Sequence, residues 1–347
     1  MNLNQIKKLM ERKKTSRKGE NGYALIVGGS EEYVGAVALA GLAALRSGCD
    51  LVTIAAPDKV AWTINTYNPD LITHKVRGSN FNIKNAKEIV KFSDRYDAVC
   101  LGNGVTRKAD KFCQYFIRKS DKLKVVDADA LKSMSFKDFR NSILTPHETE
   151  LEMLLVNSNK EFLLPKLKVS NAKEKAEILQ GNLRYFLQNN NVILVKGATD
   201  IIISRNKVSY NRTGNQGMTK AGTGDILSGL AVGFLAKTKD LFKSAVAASY
   251  VNGWVGDQLL KKKKGYTFIA SDIIDDLTKL SEAAKKGGSF SAPKKKKSTK
   301  NKVTKNKVVK KKAAKKKVVK KAVPKKKSVK KKVVKKKKGK WFYLSSC

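Results

Sequence analysis

Residues 213–235 read TGNQGMTKAGTGDILSGLAVGFL, and this stretch decides the fold. Gly217, Gly222 and Gly224 loosen the backbone just before an apolar run, Ile226, Leu227, Leu230, Phe234 and Leu235, that recurs with a helical period. The pattern predicts a glycine-rich loop feeding a helix N-terminus. Free N–H groups and the positive end of the helix dipole suit such a terminus to a phosphate or an oxyanion. Asp225 falls on the predicted first turn. A lone acid there would serve as a cap. Glycines that admit a ligand close to the backbone, beside one placed base, are what phosphoryl transfer to a hydroxyl needs. The stretch lacks the Gly-Lys-Ser/Thr ending of a P-loop.

Upstream, residues 23–55 predict strand, helix, strand: YALIV, then VALAGLAALRSG, then LVTIAA up to Pro57. A helical crossover makes the two strands parallel. Gly28, Gly29 and Gly35 do not have dinucleotide-fingerprint spacing, so they read as a tight turn with close helix–strand packing. Three further apolar runs each end in chemistry-bearing residues: DAVCLGNGVT (97–106), LKVVDADAL (123–131) and SILTPHETELEMLL (142–155). In a parallel α/β sheet the loops after the strands line the ligand crevice. Asp127 and Asp129 share a face if the strand continues and diverge if a turn begins there. One could orient a metal-bound phosphate through water. Thr145, Pro146 and Glu148 have the spacing of a capping box, with Thr145 as N-cap. His147 exceeds that role, because a cap needs no imidazole. Lys196 closes the run NVILVKGATDIII (191–203), either as a charge leaving a strand edge or as a phosphate ligand.

Other segments say less. Residues 3–14 predict a short basic helix docked on the domain, and Asn65–Asp70 a polar turn. His74 reads as structural or exposed. Residues 160–190 predict a surface helical hairpin or an inserted helix. Residues 245–262 and 267–280 predict closing helices, the second capped by Ser271 or Asp272.

The A-G-T-G-D string before a helix, flanked by G-N-Q-G-M-T-K-A, resembles the ADP/ATP-dependent (S)-NAD(P)H-hydrate dehydratase family of the ribokinase-like superfamily. The opening R-K-G-E-N-G-Y-A-L-I-V-G-G-S-E-E-Y-V-G-A, the D-A-D-A-L string and T-P-H-E-T-E resemble the family in the same order, so the likeness covers roughly residues 17–281. The resemblance implies a three-layer α/β sandwich on a mainly parallel sheet. It implies dehydration of the S epimer of NAD(P)H hydrate, with phosphorylation of the C6 hydroxyl and loss of phosphate. Asp225 would be the base, with the backbone N–H groups of Gly222, Thr223 and Gly224 stabilising the transferring charge. Ala36, Gly102, Gly104, His147 and Asp225 would hold the hydrate. Lys196, Gly197, Ala198, Thr199, Asp200 and Gly224 would hold the nucleotide. Mg2+ would accompany the nucleotide, with no metal site in the protein. Three positions depart from the family pattern. Asn103 and Thr106 interrupt its G-P-G-L-G, and Thr149 stands where T-P-H-x-G-E has glycine. Only about twenty residues precede the first strand, too few for a fused epimerase domain, which favours ADP as donor. Two other classes share part of this pattern: a ribokinase-like kinase of a small alcohol, and a nucleic-acid-associated protein.

Composition splits the chain. Of 347 residues, 73 are basic and 29 acidic, for a net charge of +44. Residues 294–340 hold 27 of the lysines and no acid, leaving +17 on the first 293 residues. The expected organisation is a basic extension at 1–20, a catalytic domain at 21–282 and a disordered lysine-rich tail at 283–347. Such a tail binds polyanions, nucleic acid included, through counterion release, or serves only as a solubilising extension. It resembles the basic tails of linker-histone-like proteins. The terminal WFYLSSC has the look of a small docking peptide. Cys49, Cys100, Cys113 and Cys347 show no paired spacing, so neither a disulfide framework nor a zinc site is expected. No signal-peptide core or membrane-length apolar run is present. The expected setting is cytoplasmic, without membrane contact and with a homo-oligomer, a homotetramer, as assembly.

Overall fold

The computed structural model describes residues 3–280, which belong to one compact unit. The expectations on the lysine-rich tail, Cys347 and WFYLSSC lie outside the described residues. The apolar runs become nine strands of one sheet: β1 (Tyr23–Val27), β2 (Leu51–Pro57), β3 (Ile72–Val76), β4 (Ala98–Leu101), β5 (Leu123–Val126), β6 (Ser142–Leu144), β7 (Val192–Val195), β8 (Asp200–Ile203) and β9 (Val208–Asn211). Their order across the sheet is β3-β2-β1-β4-β5-β6-β7-β8-β9. The first seven are parallel, and β8 and β9 add an antiparallel edge.

Thirteen α-helices accompany the described sheet. They are α1 (Leu3–Met10), α2 (Val34–Arg46), α3 (Asp58–Tyr67), α4 (Ile83–Phe92), α5 (Asp110–Lys119), α6 (Asp129–Lys132) and α7 (Glu148–Asn157). Then follow α8 (Leu164–Val169), α9 (Ala172–Asn182), α10 (Arg184–Gln188), α11 (Thr223–Thr238), α12 (Leu241–Leu259) and α13 (Ala270–Asp276). Alternation along each strand feeds two cores. Ala24 and Ile26 of β1 join the apolar residues of α2, α11, α12 and α13, while Leu25 and Val27 join those of α4, α5, α7 and α9. This is the expected three-layer sandwich. Helix α11 presses on α2 through small residues: a side chain at Gly229 would come within 2.2 Å of the Ala40 carbonyl. That contact carries the N-terminus of α11 up to the carboxyl ends of the strands.

Several local expectations change. Helix α1 stops at Met10, and Ile6 and Leu9 bury its apolar side in the core. Helix α3 continues through Tyr67, so the polar turn is confined to residues 68–70. The cap before α7 is His147 rather than Thr145. The Glu150 carboxylate accepts from the His147 N–H at 3.0 Å, and Thr145 turns inward to the site. The cap of α13 is Ile269, not Ser271 or Asp272. Asp272 sits in the first turn and accepts from the Ile269 N–H at 2.9 Å. Residues 160–190 form α8, α9 and α10. Cys49, Cys100 and Cys113 are free and buried. His74 stacks on Phe92 with ring centroids 4.1 Å apart, the structural one of its two expected roles.

Candidate active site

Five of the seven parallel strands end in a row of residues around the site: Gly28 after β1, Gly102 after β4, Asp127 after β5, Thr145 after β6 and Lys196 after β7. Strands β1 and β4 are neighbours whose onward connections run in opposite directions, and that reversal leaves a crevice. Helix α11 points its first turn at this crevice. Its N-cap, Gly222, has φ +92°, a left-handed conformation. A side chain there would also lie 2.8 Å from Ala270 and from Leu39. Glycine is therefore the residue the corner admits. The preceding loop is latched at two points. Asp257 accepts from the Gly214 N–H at 3.0 Å and from the Asn215 amide at 3.2 Å, and Lys220 donates to the Phe268 carbonyl at 2.6 Å.

Asp225 follows on the first turn. Its Oδ1 accepts from the Asn103 side-chain amide at 2.7 Å. Burial, and behind it the charge of Asp127, pushes the Asp225 carboxyl up to about 6, against the opposing pull of Asn103 and Lys196. A carboxylate poised near neutrality is a competent general base.

Lys196 turns inward from the end of β7. Its Nζ donates to Asp127 Oδ1 at 3.0 Å and lies 3.7 Å from Glu150 Oε2. Burial pulls the ammonium down, but Asp127 and Glu150 outweigh it, so Lys196 stays charged above its usual range. A side chain on Gly224 would find only Lys196 Nζ near it, at 3.8 Å. The ammonium and the N-terminus of α11 thus bring positive potential to one place. Thr145 Oγ1 donates to Asp127 Oδ1 at 2.8 Å. Glu150 Oε1 lies 3.3 Å from His147 Nε2, so the half-exposed imidazole is tied to the same network.

The expected residues gather unequally. Gly102 and Gly104 have φ +125° and +68°, and they flank Asn103 in a reversal that only glycines accommodate easily. A side chain on Gly104 would meet Ala36 at 3.1 Å, so Ala36 and Gly104 form one wall. Asp129 diverges from Asp127, because Ala128 adopts φ +53° and Asp129 begins α6, where it pairs with Lys132. Gly197 and Ala198 are exposed at the lip of a cleft lined by Leu151, Leu155, Leu179 and Val195. Asp200 is occupied with holding that loop: it accepts from the Gly197 N–H at 3.0 Å and from the Ser249 hydroxyl at 2.6 Å. Thr106 has φ −105°, and Thr149 lies within α7, so neither departure from glycine strains the backbone. Asn103, Thr145 and Glu150 are the site residues that motif reading undervalued.

Residues 24–279 match the model of the NAD(P)H-hydrate dehydratase family. The chain belongs to that family. It is 35% identical over 277 residues to the bifunctional NAD(P)H-hydrate repair enzyme Nnr of Methanocaldococcus jannaschii, covering 78% of this chain and 50% of that protein. The chain thus spans about half the length of the bifunctional relatives it matches. It is 34% identical over 270 residues to the ADP-dependent (S)-NAD(P)H-hydrate dehydratase of Cenarchaeum symbiosum, covering 76% of this chain and 90% of that one. Among solved structures, the ADP/ATP-dependent NAD(P)H-hydrate dehydratase of Bacillus subtilis, co-crystallized with ATP/Mg2+, aligns with a TM-score of 0.67 at 26% identity. That alignment covers 82% of this chain and 97% of the other. Among the described residues, no helix of this family member is long and apolar enough to cross a membrane.

Proposed function

We propose that this protein dehydrates the S epimer of NAD(P)H hydrate back to NAD(P)H, with ADP as the phosphoryl donor. One observation carries the reading: the Asp225 carboxyl, pushed up to about 6 by burial, sits on the first turn of α11 within electrostatic reach of the Lys196 ammonium. The family to which the chain belongs supports the substrate, and the names of the archaeal relatives support ADP.

In the proposed reaction Asp225 takes the proton of the C6 hydroxyl, and the oxygen attacks the terminal phosphorus of ADP. The bond to the AMP leaving group breaks as the new P–O bond forms. The N–H groups of Gly222, Thr223 and Gly224 and the Lys196 ammonium stabilise the charge on the transferring group. Loss of phosphate with its C–O bond, and of a proton from the adjacent ring carbon, restores the double bond of the nicotinamide. Ala36, Gly102, Gly104 and His147 are proposed to hold the hydrate. Lys196 to Asp200 and Gly224 are proposed to hold the nucleotide.

Among the described residues, no group of three or more His, Cys, Asp or Glu side chains is arranged to hold a metal ion. A Mg2+ ion fits this site as part of the nucleotide, bound chiefly by phosphates and water, where it would neutralise phosphate charge. Asp127 would be the carboxylate to meet such a complex through water; its Oδ1 already accepts from Thr145 and Lys196.

Three further readings accompany this one. The catalytic domain is proposed to span residues 21–282. Residues 283–347 are proposed to bind polyanions through counterion release. A cytoplasmic homotetramer is the proposed working form.

The test is an absorbance assay at the reduced-nicotinamide band, with NADH hydrate, Mg2+ and either ADP or ATP. Recovery of NADH only with nucleotide, and faster with ADP, is expected. Folded protein that binds nucleotide yet recovers no NADH would overturn the reading and point to a small-alcohol kinase.

A further inference from the structure

Asn103 occupies the crevice between β1 and β4. Its side chain is fully buried. The main-chain carbonyl accepts from the Gly29 N–H at 2.8 Å, and a side chain on Gly28 would approach that carbonyl oxygen to 2.2 Å. The loop after β1 therefore clamps the Asn103 backbone. The amide has two hydrogens, and two acceptors lie close: Asp225 Oδ1 at 2.7 Å and Ser228 Oγ at 2.9 Å. Asp127 Oδ2, at 3.5 Å, is at the limit of contact.

The orientation of the amide follows from its neighbours. Cys100 Sγ lies 3.1 Å from Asn103 Oδ1 and donates its thiol hydrogen to it. Rotating the amide by half a turn would set Oδ1 against the Asp225 carboxylate. Ser228 completes the grip, because its hydroxyl accepts from Asn103 and donates to the Asp225 carbonyl at 3.0 Å. One amide thus holds both the side chain and the first turn of α11.

We propose that Asn103 is the positioning residue of Asp225: its amide fixes the carboxylate through Oδ1 and leaves Oδ2 to meet the substrate hydroxyl. The proposal rests on the reaction given above. Asn103 supplies no proton and touches no reacting atom. A proline, as in the family pattern at this position, has no side-chain donor to do the same, so this chain secures its base in its own way. The other charged or titratable groups facing Asp225 are Asp127 at the end of β5, Lys196 at the end of β7 and Cys100 in β4. Glu150 and His147 stand behind Lys196.

The experiment compares wild type with Asn103→Leu, which keeps the size and removes the donor, and with Asn103→Ala, which leaves room for a water donor. The readout is kcat/KM against pH. A charge-assisted bond of this kind is worth about one pH unit or more. The acidic limb should therefore move up by about one unit in Asn103→Leu and by less in Asn103→Ala, with a plateau lowered roughly 10-fold or more from lost alignment. A lowered plateau with an unmoved limb would overturn the proposal, since a purely structural residue gives that result. Failure of both variants to fold would also overturn it.

A second readout needs no turnover. The stability difference between each protein and its own Asp225→Asn derivative, followed against pH, reports the Asp225 ionisation directly. That ionisation should rise in Asn103→Leu. An inactive wild type would refute the dehydratase reading, while this second readout would still decide the role of Asn103.

Discussion

Each end of the parallel sheet holds a partly buried carboxylate, and the two are treated in opposite ways. Asp50, just before β2 at the amino end, is surrounded by donors. The main-chain N–H groups of Gly19 and Asn21 approach Oδ2 at 2.8 and 3.0 Å, the Asn21 amide approaches Oδ1 at 3.1 Å, and Arg12 lies 2.8 Å away. Burial works against its charge, but these groups prevail and hold the Asp50 carboxyl below the usual range. Asp225, at the carboxyl end, has Asn103 as its side-chain donor among the described residues and a like charge at Asp127, and it is pushed up to about 6. Lysines repeat the contrast. Lys196 is charged between carboxylates, whereas Lys124, fully buried in β5, donates to the carbonyls of Ser120 and Lys122. Burial draws Lys124 down to about 8. A saturated carboxylate holds the fold, and an under-satisfied one is left free to react.

The largest effect should come from Asp225→Asn. Positioned base catalysis is worth ~10²–10⁴-fold, so turnover should fall by at least 100-fold with nucleotide binding retained. The same variant should be more stable than wild type at neutral pH. A carboxyl whose folded pKa is raised costs stability once ionised, so the gap should open as pH rises from 3.8 through about 6. Thermal unfolding of both proteins across that range measures it. Near-normal turnover would erase the distinction between the two carboxylates.

Next in size is Lys196→Met. It removes positive charge from the transferring phosphoryl group and from beside Asp225, so kcat should fall roughly 10–1000-fold. The acidic limb of its pH profile should also move upward. An unchanged limb would mean that Lys196 senses Asp127 and Glu150 alone.

How far the sequence foretold this contrast depends on distance along the chain. The strands, the loop at Gly222–Asp225 and the placement of Lys196 were legible, because local periodicity and glycine spacing encode them. The network was not. Asn103 and Asp225 lie 122 residues apart, and Lys196 and Asp127 lie 69 apart, so only the sheet order joins them. Thr-Pro-x-Glu fits a cap locally, while the Thr145 hydroxyl is claimed by Asp127 across the sheet. Asp129 could be separated from Asp127 only by the positive φ of Ala128.

The smallest functional effect belongs to Asp50→Ala. It orphans the N–H groups of Gly19 and Asn21 and should cost about 1–3 kcal/mol of stability while leaving kcat/KM of the folded protein unchanged. A carboxyl with a depressed folded pKa stabilises above its unfolded pKa and loses that contribution as pH falls through the folded value. The deficit of the variant should therefore shrink in acid. Loss of catalysis without loss of stability would contradict the division between the two ends.

The most direct test of the central claim is the pH dependence of kcat/KM for wild-type NADH-hydrate dehydration with ADP. Activity should rise with pH along one acidic limb centred near 6 and then level, as Asp225 ionises. A limb in the ordinary carboxylate range near 4, or no acidic limb at all, would contradict Asp225 as the base.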